Sequence, residues 1–228
     1  RKLFHNVSHE IRSPLARIEV ATDLAKLDPS RVPASLERIE KEVRAIDELI
    51  GSLLTYARLE GGIVLETATV SARAFLGAVR DTLAFEAQSR GIEVKLVDRL
   101  TEDITLKVNE AALSSALINI GRNALRFTPE RGTITLAVEL RAKGLLIRCI
   151  DEGPGMSEEE LARVFDPFVR GNREHTGTGF GLGLAIAKSA VASQHGTLSA
   201  KNVLPHGLEF EITLPVQTEN GSLKKAAV

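Results

Sequence analysis

A chain of 228 residues with 43% hydrophobic and 26% charged side chains has an ordinary globular composition, long enough for two cores and too apolar for extended disorder. A net charge of −1, with no Lys/Arg run interleaved with aromatics, argues against nucleic-acid binding, and no apolar run approaches the roughly 20 residues of a membrane span. Cys149 is the only cysteine, which excludes an intramolecular disulfide and fits a reducing compartment.

The sequence opens on Arg1 in helical rhythm, as a piece of a longer chain would, so any membrane segment upstream lies outside it. Phe4, Val7, Ile11, Pro14, Ile18, Ala21 and Ala25 form a seam whose steps alternate between three and four residues. That register predicts a helix over residues 2–27 with His9 turned to water, and Ser13 one turn beyond on the same side. Pro14 inside it is expected to kink the helix. Asp28-Pro29-Ser30 and Pro33 break the pattern, and Leu36, Ile39, Val43, Ile46, Ile50, Leu53 and Ala57 resume it. Two such helices cannot cover both stripes alone, so a second hairpin is expected to complete a homodimeric four-helix bundle through residues 1–60. A hairpin lying on a second domain of the same chain is the alternative.

Gly61-Gly62 ends the helical rhythm and divides the chain into residues 1–62 and 63–218, with a polar tail over 219–228. Beyond that point a helix is predicted over residues 71–90, carrying Phe75, Val79, Leu83 and Phe85, and Gly91 closes it. Strands follow over 92–97 and 104–108, then a helix over 110–127. Paired strands are predicted over 133–140 and 145–150, and two more over 197–201 and 208–214. Strands and helices mixed in this order predict an α/β sandwich, a sheet with helices on one face.

Four segments of the second domain carry groups suited to chemistry. Asn119 and Asn123 share one face of the 110–127 helix, and asparagine offers a neutral hard oxygen suited to a magnesium ion that keeps water and phosphate as its other ligands. An exposed or capping asparagine pair reads the same way in isolation. Asp151-Glu152-Gly153-Pro154-Gly155 follows a buried strand directly, placing a carboxylate beside a tight loop where it can accept from the exocyclic amine of adenine; an ordinary turn is the plainer alternative. Gly177-Thr178-Gly179-Phe180-Gly181-Leu182-Gly183 opens a helix and leaves backbone N–H groups free for phosphate oxygens. It is neither a Walker loop nor a convincing dinucleotide fingerprint. Between these loops, Phe165 and Phe168 can anchor a short lid or simply pack a core, and Arg170 can reach a phosphate.

In this order, His9-Glu10 on a helical hairpin, Asn119/Asn123, Asp151-x-Gly153-x-Gly155, Phe165-x-x-Phe168 and the alternating glycines 177–183, the chain resembles the cytoplasmic core of sensor histidine kinases over nearly its whole length. Within that family, residues 9–17, 84–88 and 122–127 most resemble the Cpx-type envelope-stress sensors. The resemblance implies a phosphotransfer hairpin followed by an ATP-binding domain of the GHKL (Bergerat) type shared with gyrase, Hsp90 and MutL. It implies that His9 attacks the γ-phosphorus of ATP while Glu10 accepts or orients the ring proton. It further implies that Asn123 binds Mg2+, Asn119 and Arg126 support the phosphates, and Asp151 reads adenine. Gly153, Gly155, Phe168, Arg170, Gly177, Thr178, Gly179, Phe180, Gly181, Leu182 and Gly183 would line the same site. Phe127 stands where the family usually has tyrosine, and Arg126 where it has lysine. Ser13 replaces the usual threonine or asparagine but keeps a hydroxyl, which implies phosphatase activity toward the phosphorylated partner. That partner is expected to be the receiver domain of a response regulator, and the setting the cytoplasmic part of a bacterial inner-membrane sensor. A degenerate nucleotide-binding dimeric scaffold is the non-catalytic alternative. Gly121 costs its helix roughly 1 kcal/mol of propensity, for no evident functional return.

Overall fold

The computed structural model describes residues 2–62, 66–169 and 179–216, with side chains from residue 6 onward; the expected tail over 219–228 lies outside the described residues. Helices α1 (Lys2–Leu27) and α2 (Val32–Glu60) form a hairpin about a 3-10 turn at Pro29–Arg31. The turn follows from its residues. Asp28 leaves the helix in extended geometry, and its Oδ1 accepts from the Ser30 amide at 3.0 Å and the Ser30 hydroxyl at 2.6 Å. Pro33 falls in the first turn of α2, where a missing N–H is no loss. Helix α1 continues unbroken through Pro14, which is buried on the seam together with Ala21.

The inward line of α2 differs from the expected one. Ser35, Glu42 and Leu49 are buried, whereas Leu36, Val43 and Ile50 are 54%, 52% and 45% exposed. These two lines run side by side with the same seven-residue spacing, and because Ser35 and Glu42 are polar, apolar periodicity points to the outer line. On the inward line Glu42 is held by Arg17 of α1 at 2.7 Å. The outer line stays exposed on the single chain.

The second unit begins with β1 (Ala68–Ser71), α3 (Ala72–Ala87), β2 (Glu93–Asp98), β3 (Thr105–Val108) and α4 (Glu110–Phe127). Strands β4 (Thr133–Arg141) and β5 (Gly144–Asp151), helices α5 (Glu158–Arg163) and α6 (Gly183–Ala192), and strands β6 (Thr197–Asn202) and β7 (Leu208–Leu214) complete it. The main sheet has the order β2-β4-β5-β7-β6. Among the described residues only β2 and β4 pair in parallel, and their crossover lays α4 across the sheet. Alternate residues of three strands, Ile134, Leu136 and Val138, Leu145, Ile147 and Cys149, and Phe210, Ile212 and Leu214, share one core with α3, α4 and α6.

Strand β1, which pairs antiparallel with β3, and the short helix α5 escape the sequence reading, because four and six residues carry too little periodicity. Phe85 corrects another expectation. It is 77% exposed, since the buried face of α3 runs through Phe75, Val79 and Leu83 to Ala87. Gly121 gains a structural reason: a Cβ there would stand 2.3 and 2.5 Å from the methyl carbons of buried Leu83, so glycine is what lets α3 and α4 approach.

Candidate functional site

The acid-glycine loop is built from the end of β5. Asp151 is 3% exposed, and its Oδ1 accepts from the amides of Gly153 at 2.8 Å and Leu208 at 3.2 Å. These two donors orient the carboxylate and leave Oδ2 for a ligand donor. Burial pushes the Asp151 carboxyl above the usual carboxylate range, and the two backbone amides oppose that rise. Gly153 must be glycine for closeness: a Cβ would stand 2.8 Å from Asp151 Oδ1 and 3.2 Å from Phe127 Cβ. Gly155 takes φ +72° over Asn202, whose side chain accepts from Met156 N and donates to Met156 O.

Helix α4 faces the opening of α6. It starts where Asn109 accepts from Ala112 N at 2.8 Å and ends where Arg90 donates to the carbonyls of Leu125 and Thr128. Both ends being tied, its last turns hold a fixed set of side chains. A Cβ on Gly183 would lie 3.0 Å from Asn119 Oδ1, and one on Gly179 would lie 3.7 Å from the Arg126 guanidinium. The Arg126 guanidinium also lies over the Phe127 ring, 5.4 Å from its centroid. Gly181 adopts φ +72°, and its carbonyl accepts from Phe168 N at 2.9 Å. Among the described residues no side chain caps α6, which leaves its first amides to an anion.

The buried Asn123 Nδ2 has no hydrogen-bond partner among the described residues. A half-turn of the amide exchanges nitrogen and oxygen, so this position can offer a donor to phosphate or a hard oxygen to a cation. The donor set therefore fits a hydrated Mg2+ beside phosphate. Thus Asn119, Asn123, Arg126, Phe127, Asp151, Gly153, Gly179 and Gly183 gather between α4, the β5 loop and α6. Gly155 belongs to the same loop as Asp151. Arg170, Gly177 and Thr178 lie outside the described residues.

On the hairpin, His9 and Ser13 are both exposed, and Glu10 is half-buried. Ser13 Oγ accepts from Arg17 Nη1 at 2.6 Å. Sequence reasoning gave the hairpin lying on the second unit as its alternative but did not name the residues that meet. Leu49, Leu182 and Ile186 form a buried apolar cluster, with Ile11, Leu53, Tyr56, Leu59, Phe168 and Phe180 packed around it. Ser189 Oγ donates to Glu60 Oε1 at 2.7 Å beside it. Burial pushes the Tyr56 hydroxyl above its ordinary range. Phe168 and Phe180 therefore bear on the hairpin, while Phe165 packs edge-on against Phe210 at 6.2 Å. The recurrence of Leu49 and Tyr56 seven residues apart was the available signal, and the parallel line of Val43, Ile50 and Ala57 obscured it.

Comparison with known proteins gives two family matches along the chain. Residues 1–62 match the His Kinase A (phospho-acceptor) domain, and residues 108–218 match the histidine kinase-, DNA gyrase B- and HSP90-like ATPase family. The chain is 35% identical over 218 residues to the sensor histidine kinase CpxA of Escherichia coli strain K12, covering 95% of this chain and 47% of CpxA. It therefore spans about half the length of that relative. Full-length ShkA in complex with AMPPNP superposes with TM-score 0.71 at 27% identity, over 95% of this chain and 46% of that one. ThkA in complex with the response regulator protein TrrA superposes with TM-score 0.77 at 22% identity, over 96% and 62%, and shares the fold. A phospho-acceptor hairpin followed by this type of ATPase unit places the chain in the sensor histidine kinase family.

Proposed function

We propose that this chain, with ATP and Mg2+, phosphorylates its own His9 and passes the phosphoryl group to an aspartate in the receiver domain of a response regulator. The observation that carries this reading is the meeting of the two units. Ile11, two residues from His9, packs in the same cluster as Phe180 and Leu182, which lie between the glycines that open α6. Asp151 would accept from adenine through its free oxygen, and Phe127 would pack beside the nucleotide. The α6 amides, Asn119 and Arg126 would hold the phosphates. Arg170, Gly177 and Thr178 belong to the same proposed set.

A neutral ring nitrogen of His9 would form the bond to the γ-phosphorus as the bond to the departing ADP oxygen breaks, and the ring proton would pass to Glu10. Mg2+, when bound, neutralises charge on the phosphates, and Asn123 is the residue that would hold it. Ser13 would orient water for the reverse duty, hydrolysis of the regulator's aspartyl phosphate.

Residues 1–62 form the phosphotransfer unit in this proposal, 63–218 the catalytic unit and 219–228 a polar tail. The exposed row Leu36, Val43 and Ile50 supports a second copy of the chain as the partner that completes a four-helix bundle. No described helix is long and apolar enough to cross a membrane, and we place the chain as the cytoplasmic portion of an inner-membrane sensor. Incubation with γ-labelled ATP and Mg2+ should leave label that is lost in acid, survives alkali and vanishes in His9→Gln. Label persisting in that variant removes His9 from its role. A wild-type chain that binds nucleotide without ever acquiring label is a scaffold instead.

A further inference from the structure

An exposed serine on a helix has three side-chain wells and a freely turning hydroxyl, a poor device for aiming water. Ser13 is not left in that state. Arg17, one turn further along α1, donates Nη1 to its Oγ at 2.6 Å. Arg17 would itself be a mobile chain, with a side chain 42% exposed, were its other donors not engaged. Nε and Nη2 reach the two oxygens of Glu42 on α2, each at 2.7 Å, a fork on a fork. Glu42 is 7% exposed and sits on the inward line of α2 between Ser35 and Leu49. The hydrogen bond from Arg17 holds its carboxyl below the usual range, against the opposing effect of burial. A carboxylate on a seam of this kind contributes little to stability that an apolar residue would not match. What it does supply is one fixed orientation of a guanidinium.

We propose that Arg17, locked by Glu42, is a positioning residue for Ser13 in the hydrolysis of the regulator's aspartyl phosphate. The inference rests on the proposed role of Ser13. In that step water forms a bond to phosphorus as the bond from phosphorus to the aspartyl oxygen breaks. An acyl phosphate of charge −2 and water thus become a carboxylate and H2PO4−, with both water protons carried off on the phosphate. The donor from Arg17 occupies one lone pair of Ser13 Oγ and sets its rotamer. The second lone pair is then free to accept from the attacking water, turning the water's own lone pair toward phosphorus. Because Ser13 and Arg17 stand on α1 and Glu42 on α2, any shear between the helices that opens the fork releases the serine. The hydrolytic activity is thereby tied to the geometry of the hairpin.

The experiment follows phosphate release from isolated receiver domains, phosphorylated beforehand with phosphoramidate, on adding the full chain. Ser13→Ala and Arg17→Ala should each lower kcat by about tenfold or more with KM nearly unchanged, and the double variant should be no slower than Ser13→Ala alone. Arg17→Lys should not restore the rate, since an ammonium cannot grip both carboxylate oxygens and the serine in one plane. Arg17→Met combined with Glu42→Leu keeps the seam filled and should be as slow as Ser13→Ala. If Ser13→Ala hydrolyses at the wild-type rate, or no receiver is dephosphorylated by the wild type, the role of Ser13 fails and this inference with it. If Ser13→Ala is slow while the Met/Leu pair is fast, or the two alanine effects multiply, Ser13 keeps its role and Arg17 is only a structural tie.

Discussion

The hairpin and the α/β unit solve burial in opposite ways. The α/β unit hides Leu83, Leu113, Leu117, Ile120, Ile134, Leu136 and Phe210 in one continuous core. The hairpin buries Ala21 and Leu49 but leaves Leu15, Val20, Leu36, Val43, Ile50 and Leu54 between 45% and 56% exposed. One closes its apolar face within the single chain, and the other keeps an apolar row turned outward. The hairpin lies on the second unit of the same chain, since α2 touches α6 along one line, and it offers another apolar line outward. The unit that carries His9 can thus be reached from two sides.

The sharpest way to break this comparison is a charge on the outward line. Ile50→Glu should weaken self-association by about a hundredfold or more, the cost of burying an unpaired carboxylate, while the α/β unit melts as before. Sedimentation at matched concentration reads the first, and calorimetry the second. A variant as dimeric as the wild type would show that this face meets something other than a second copy.

The converse test attacks the closed core. Gly121→Ala should destabilise the α/β unit by about 2 kcal/mol in a denaturant titration, overpacking against Leu83 outweighing the gain in helix propensity. The hairpin should be unaffected. Shortening Leu83 in the same chain should recover part of the loss.

Acid acts with opposite sign on two carboxyls, one in each region. Glu42 has its carboxyl lowered in the folded hairpin, so its stabilisation is full above the unfolded value of 4.5 and is lost as pH falls through the folded one. Asp151 is raised, so the stabilisation tied to its proton is full below the unfolded value of 3.8 and is lost as pH rises through the folded one. Hydrogen exchange between pH 6 and pH 3 should show the hairpin loosening around Glu42 while the turn after Asp151 keeps its protection, a window set by these shifts. Nucleotide affinity should fall over a range above that of an ordinary aspartate, because adenine needs the ionised acceptor. Asp151→Asn should bind weakly and flatten that dependence.

The smallest effect belongs to the exposed fork between Arg122 and Glu86, closest approach 2.6 Å with the Arg122 side chain 60% exposed. Removing it by Arg122→Ala should change stability by less than about 1 kcal/mol. A larger loss would mean that α3 and α4 depend on more than their apolar contact.

Much of the candidate site was legible because its chemistry lies in short runs. His9 with Ser13, Asn119 with Asn123, and Asp151 with Gly153 are each related by one turn or one loop, so spacing reveals them without knowledge of the fold. The choice between two neighbouring lines of α2 was not legible, nor was β1, whose partner β3 lies more than thirty residues on. Phe85 misled because an aromatic reads as core wherever it stands.

What the sequence determined by itself was the list of chemical groups and their order, since the periods of helix and strand and the breaks at Gly and Pro are local properties of the chain. Only the tertiary structure decided that Glu42 lies within reach of Arg17 and hence of Ser13, that Gly121 makes room for Leu83, and that Leu49 closes on Leu182 and Ile186. Each of these depends on distances between residues far apart along the chain, which close packing sets and local periodicity does not encode.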